Sequence, residues 1–320
     1  MWIAVEHRLR FRYSDFIRES QLELRVQPRA TETQTLHEFS IAVGPPSRPF
    51  RYFDWNGNPV HYFGVTSFHD RIDVDARSIV ETRPAREELP SLTAPPQAPS
   101  QLGELRDFVE FGGPIVRSRR LEEMGAIMVT PADAPVVDQM RESGDAIFHR
   151  FRYETGITNV HSTTEDLFEG GVGVCQDFAH LHLAILRLRG IPCRYVSGYV
   201  AEEGREAQSH AWIEAYTADH GWLSFDATHN RMPDDKYVTV AWGRSYGDVP
   251  PNRGIFRGDA SETLEVEVLV NEVPARRGAP SLHEEVRSLD VPVFREPPSR
   301  DASQNVEDVG DPQQQQQQQQ

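Results

Sequence analysis

Gly170-Gly171-Val172-Gly173-Val174-Cys175-Gln176-Asp177-Phe178-Ala179-His180 runs on through residues 181–189 and stops at Gly190-Ile191-Pro192. From Phe178 to Leu188 almost every position is apolar: Phe178, Leu181, Ile185 and Leu188 recur at helical spacing, while Leu183 and Leu186 fill a second face. The spacing predicts a helix buried on most sides. Its end is marked by Arg187 and Arg189 in the last turn, Gly190 at the C′ position and Pro192 beyond. Cys175 therefore opens a core helix. A thiolate is the reactive form of cysteine, and the positive end of a helix favours that anion. The glycines before it would let other backbone or a substrate approach the sulfur.

A nucleophile needs a base, and a hairpin further along supplies one. Ser209-His210-Ala211-Trp212 opens one predicted strand (210–217), and Trp222-Leu223-Ser224-Phe225-Asp226-Ala227-Thr228 forms its partner across the short loop Ala218-Asp219-His220-Gly221. Folding back places the start of the first strand beside the end of the second, making His210 and Asp226 cross-strand neighbours. A carboxylate orients an imidazole through one ring nitrogen and leaves the other free to exchange a proton. With Cys175 this makes a Cys-His-Asp triad in chain order. His180 and His182 share the helix with Cys175, but their offsets bring neither imidazole over the helix start, so both are expected to pack or cap. Asp177 suits the first helical turn but opposes a thiolate nearby, so its carboxylate is expected to turn to backbone N–H groups or another side chain.

Composition bounds the rest. The chain has 320 residues, 38% of them hydrophobic, which suffices for two domains. A formal charge of -16 argues against nucleic acid or an anionic membrane surface as partner. Two cysteines make no disulfide framework, and the N-terminus has no apolar run of signal-peptide length, so a reactive thiol in the cytoplasm is the expectation. No cofactor is implied, and neither HExxH nor paired CxxC spacing is present for zinc.

In chain order, residues 1–82 read as an all-β, β-sandwich-like domain, with strands at about 3–13, 21–27, 36–43, 50–55, 59–69 and 72–80 and a hairpin turn at Asn56-Gly57-Asn58. His7, His37, His61 and His69 are scattered through it and are expected to pack in strands or lie at the surface. Residues 83–103 read as a proline-rich linker and 104–272 as the catalytic core, with an amphipathic helix marked by Val137, Met140, Ile147, Phe148 and Phe151. A capped helix start follows at Thr163-Thr164-Glu165-Asp166. After the central helix, residues 193–200 form a strand in which Cys193 is a packing residue, and residues 264–270 close a sheet edge. Residues 273–320, ending in glutamines 313–320, are expected to be disordered.

These motifs, with Gly190-Ile191-Pro192 through Gly198-Tyr199, resemble the core of bacterial transglutaminase-like proteins. Gly243-Arg244-Ser245-Tyr246-Gly247-Asp248-Val249-Pro250-Pro251-Asn252-Arg253-Gly254 is similar to that family beyond its core, and the region ending in Asp54-Trp55-Asn56-Gly57-Asn58 is similar to its N-terminal domain. The resemblance implies an α+β protein whose papain-like core packs a cysteine-bearing helix on an antiparallel sheet. It also implies that Cys175, His210 and Asp226 match the family's nucleophile, base and orienting acid. The implied chemistry is acyl transfer from a peptide or glutamine amide through a thioester. Peptidase or amidase action, where water is the acceptor, and a binding module without turnover are the alternatives. The backbone N–H of Cys175 is a natural oxyanion donor, and Gln176, Trp212 and Trp222 are candidates for the second donor or the cleft.

Overall fold

The computed structural model describes residues 1–84, 93–201, 209–275 and 282–296. Met1–Glu81 and the described residues from Pro250 onward form one compact unit, and the described residues of Thr82–Val200 with Ser209–Val249 form the other.

The first unit contains β1 (Trp2–Ile17), β2 (Glu19–Leu24), β3 (Gln34–Gly44), β4 (Phe50–Phe53), β5 (Pro59–Val65) and β6 (His69–Thr82). Strict alternation along β1 buries Ile3, Val5, Leu9 and Phe11 and turns Glu6, Arg8, Arg10 and Arg12 outward, so one face of each sheet makes the core. Phe39 of β3 and His61 of β5 meet at 5.0 Å between the two sheets. The scattered histidines are structural. Burial lowers His7 and His61 to about 4, His69 bonds the Ser20 hydroxyl at 2.9 Å, and His37 bonds Glu81 at 3.0 Å.

Three late strands complete this unit: β13 (Asn252–Arg257), β14 (Glu262–Glu272) and β15 (His283–Ser288). One sheet runs β14-β1-β6-β3-β15 and the other β13-β2-β5-β4. Residues 252–272 thus belong with the N-terminal sheets and not with the catalytic core to which chain order assigned them. The reason is side-chain complementarity. β14 pairs antiparallel with β1 from Ile3↔Glu272 to Tyr13↔Glu262, burying Leu264 and Val268 and setting its glutamates against arginines, as in Arg8–Glu267 at 2.7 Å. As the edge strand of its sheet, β14 does close an edge.

The expectation of disorder from 273 is also overturned in part. β15 pairs parallel with β3, and Phe68 and Phe294 exchange backbone hydrogen bonds of 3.1 and 2.9 Å. The strand is polar because its side chains stay exposed and it is held through its backbone. Residues 297–320, including the glutamine run, lie outside the described residues. Deleting 282–320 should lower the thermal midpoint, because it removes the β15–β3 ladder and the Phe68–Phe294 pair. Deleting only 297–320 should leave the thermal midpoint unchanged. Equal midpoints for the two truncations would show that β15 contributes nothing.

The second unit contains α1 (Arg119–Ala126), α2 (Val136–Arg150), β7 (Arg152–Tyr153), α3 (Thr164–Gly170), β8 (Val172–Gly173), α4 (Cys175–Leu188), β9 (Cys193–Val200), β10 (Ser209–Thr217), β11 (Gly221–Phe225) and β12 (Tyr237–Gly243). The last four form an antiparallel sheet in the order β11-β10-β9-β12, on which α4 packs through β9 and β10. The described end of the linker is part of this unit, because the Thr93 hydroxyl accepts the Val137 N–H at 3.0 Å and so satisfies a free donor at the start of α2. α2 presses closely on β11, since a Cβ at Gly144 would lie 2.3 Å from Phe225.

Candidate active site

Local sequence fixes where α4 begins. Thr163 and Asp166 cap α3 reciprocally, and Gly171 ends that helix at φ 68, a left-handed conformation that only glycine adopts freely. Six residues later Asp177 folds back, and its Oδ2 accepts the Val174 N–H at 2.9 Å and the Thr158 hydroxyl at 2.6 Å. Gly173 makes this possible, because a Cβ there would lie 2.8 Å from that oxygen. Its glycine thus serves the helix cap. Burial raises Asp177 to about 6, against the pull of those two bonds. At the far end Gly190, at φ 71, donates its N–H to Arg187, and the Ile191 N–H reaches Leu186 at 3.0 Å. Arg187 is buried instead of capping into solvent, and it donates to the carbonyls of Glu110, Cys193 and Arg244.

Cys175, His210 and Asp226 come together. His210 Nε2 lies 2.7 Å from Asp226 Oδ2, and the Cys175 side chain is near enough to His210 to favour its charged form. The two strands meet in a diagonal sense. Ile213 pairs with Phe225, so Asp226 is level with Trp212 and His210 reaches it from two positions along. Burial works against a charged His210, but the Asp226 carboxylate and the Cys175 side chain outweigh it and raise the imidazole to about 10. Burial likewise opposes the Asp226 charge, yet His210 and His229 hold the carboxyl far below its usual range.

Asp226 is fully enclosed and fully bonded. Its Oδ2 accepts from His210, from His229 Nδ1 at 2.6 Å and from the Tyr237 hydroxyl at 2.8 Å; its Oδ1 accepts the Thr228 N–H at 2.8 Å. His229 and Tyr237 escaped the sequence reading. The only trace of His229 was its place three residues after Asp226, close enough to reach back, whereas Tyr237 comes from β12, which was not foreseen. His210, Asp226 and His229 are of metal-ligand type and their donor atoms lie within 4.8 Å of one another. The 2.6–2.7 Å between each imidazole nitrogen and the shared oxygen is hydrogen-bond spacing, however, and ligands on one tetrahedral zinc lie about 3.3 Å apart.

The oxyanion candidates separate. Gln176 is fully buried, and its amide oxygen and nitrogen have no hydrogen-bond partner among the described residues. Trp212 is brought to the site as a wall, its ring stacked on His210 at 6.2 Å and edge-on to Tyr237 at 5.3 Å. Trp222 is not brought there. It pairs with Tyr216, six positions from His210 and so about 20 Å away along the strand, and covers Arg194 at 4.2 Å. Hairpin register, which sequence proximity to Asp226 conceals, decides this. His180 and His182 pack as expected: burial lowers them to about 3 and about 4, His180 accepts the Tyr246 N–H at 3.1 Å, and His182 bonds the Met140 carbonyl at 3.0 Å.

Comparison with known proteins gives the family and the fold. The profile of the transglutaminase-like superfamily matches residues 124–227, and that of the bacterial transglutaminase-like N-terminal region matches residues 3–81. The uncharacterized protein ML0607 of Mycobacterium leprae is 32% identical over 294 residues, covering 85% of this chain and 100% of the relative. The protein belongs to the transglutaminase-like superfamily. A protein-glutamine gamma-glutamyltransferase of Pseudomonas aeruginosa is 30% identical over 105 residues, 28% of this transglutaminase-like chain and 16% of that one. A candidate cysteine protease from Cytophaga hutchinsonii shares the fold at a TM-score of 0.69 and 24% identity, covering 88% of this chain and 95% of its own. The α+β fold, an N-terminal sheet region followed by a transglutaminase-like helix-and-sheet core, is therefore that of the superfamily.

Proposed function

We propose that this protein transfers the acyl group of a peptide or protein amide to an amine through a thioester on Cys175. One observation carries the reading: Cys175 opens α4 beside an imidazole that is itself 2.7 Å from a buried carboxylate. Cys175 thiolate attacks the amide carbonyl and forms a C–S bond. His210 gives its proton to the amide nitrogen as the C–N bond breaks, and ammonia or an amine leaves. An incoming amine then attacks the thioester, loses its proton to His210 and releases the thiolate. Asp226 holds the imidazole throughout. The Cys175 N–H at the helix start is one donor to the tetrahedral oxyanion, and the unbonded Gln176 amide nitrogen is the best-supported second.

Burial of Cys175, at 1% exposed, supports transfer over hydrolysis, because a thioester shielded from water survives until an amine arrives. No helix among the described residues is long and apolar enough to cross a membrane, and both cysteines are free thiols, which supports a reducing, cytoplasmic setting. The decisive experiment incubates wild type and Cys175→Ala with a glutamine-containing peptide, with and without a primary amine, and reads product masses. Loss of ammonia with gain of the amine is the expected result. Deamidation or chain cleavage would make the protein a hydrolase, and no Cys175-dependent product from any amide would leave a binding module.

A further inference from the structure

We propose that His229 is a positioning residue of this site, clamping Asp226 so that the carboxylate can hold His210 against Cys175. This deepens the acyl-transfer reading and rests on it. Three features single out His229 from the other groups around Asp226. It engages both carboxylate oxygens, with its ring Nδ1 2.6 Å from Oδ2 and its backbone N–H 3.4 Å from Oδ1. It is the exposed member, its side chain 27% accessible against 0% for Asp226 and 10% for His210, so its ring stands between the carboxylate and solvent. Its ring also lies 5.0 Å from that of His210, on the same oxygen.

A carboxylate turns about two bonds, and its hold on an imidazole depends on the direction of one lone pair. Tyr237 supplies a third donor to Oδ2, with its own hydroxyl accepting from Arg231 Nε at 3.2 Å. Tyr237 comes from β12 and is fixed by the sheet, whereas Asp226 lies just beyond β11, where the chain leaves the ladder. Asp226 exchanges backbone hydrogen bonds of 2.9 and 3.1 Å with Arg231, and His229, in the turn those bonds close, holds the carboxylate through its ring. Removing the ring would free that side of Asp226 and admit water to Oδ2, which competes for the bond to His210 and raises the local dielectric.

The test uses the full-length protein and reads the rate at which iodoacetamide modifies Cys175, as a function of pH, together with the downfield proton signal of the His210–Asp226 hydrogen bond. His229→Ala should slow labelling at neutral pH about tenfold or more, a misplacement effect that reaches about 100-fold in enzymes, and should weaken the downfield signal. The alkaline limb, where His210 loses its proton near 10, should move to lower pH, because a loosely held carboxylate raises the imidazole less. His229→Asn puts an amide nitrogen close to the place of Nδ1 and should stay within about threefold of wild type, whereas His229→Gln, one carbon longer, should behave like alanine. Should the alanine variant not fold, the asparagine and glutamine pair decides. Wild-type rate, profile and proton signal in His229→Ala, or equal rates for His229→Asn and His229→Gln, would overturn the proposal. Failure of the acyl-transfer reading looks different: Cys175 in the wild type would then label no faster than Cys193, while the downfield signal would still report whether His229 holds Asp226.

Discussion

Cys175→Ala is expected to remove all covalent turnover, and His210→Ala nearly all, because members of a nucleophile–base pair act as one unit and the loss of either costs about as much as the loss of both. In serine-enzyme triads that loss is about 10⁶-fold, and the orienting acid costs roughly a hundredfold less. Asp226→Asn should therefore keep measurable activity, but here it carries a second penalty. Both Asp226 oxygens accept hydrogen bonds, Oδ2 from His210, His229 and Tyr237 and Oδ1 from the Thr228 N–H. An asparagine NH₂ would face donors in either orientation. A buried group left unsatisfied costs about 1–3 kcal/mol, so this variant should also melt several degrees lower. His210→Ala and His180→Ala distinguish the bases. His180 lies in the core with Nε2 accepting the Tyr246 N–H, so its loss should lower stability and spare turnover in the protein that remains folded. A His180→Ala protein of unchanged stability that is as inactive as His210→Ala would reverse the assignment of the base.

How much of this was legible in the sequence depended on the range of the interaction. α4 was legible throughout, since its cap, apolar period, terminal glycine and following proline are all local signals, and the structure ends it with Gly190 at φ 71. The triad was legible because a short hairpin carries two of its members, and hairpin geometry is also local. Trp222 was misplaced because closeness in sequence to Asp226 says nothing about register, and register sets it beside Tyr216. The return of β13, β14 and β15 to the first unit was illegible for a different reason. Pairing of β14 with β1 joins residues about as far apart in the chain as the protein allows, and nothing in the glutamate-valine alternation names its partner. β15 was hidden because an edge strand held by its backbone has the composition of a disordered tail. Trp212 shows the middle case: its closeness to the site followed from His210, but its role as a wall packed with Val196, Val200 and Tyr237 needed the sheet.

Iodoacetamide at neutral pH is expected to modify Cys175 and leave Cys193 untouched. Burial does not separate the two thiols, which are 1% and 0% exposed, so the difference rests on ionisation. Cys193 sits in β9 with its sulfur 3.5 Å from the Leu183 carbonyl, and burial pushes it up to about 11 despite the nearby Arg187. At neutral pH it is a thiol, which does not alkylate at a useful rate. Cys175 stands at the first turn of α4 beside an imidazole that Asp226 keeps protonated up to about 10. Cys193 has neither a helix start nor an imidazolium beside it. The sign of the pH dependence follows. Raising the pH from 7 towards 10 leaves the imidazolium in place. Above about 10 His210 loses its proton, while Cys193 begins to ionise near 11, so the selectivity should narrow only at strongly alkaline pH. Equal labelling of the two cysteines in the folded protein at neutral pH would remove the basis for treating Cys175 as a nucleophile.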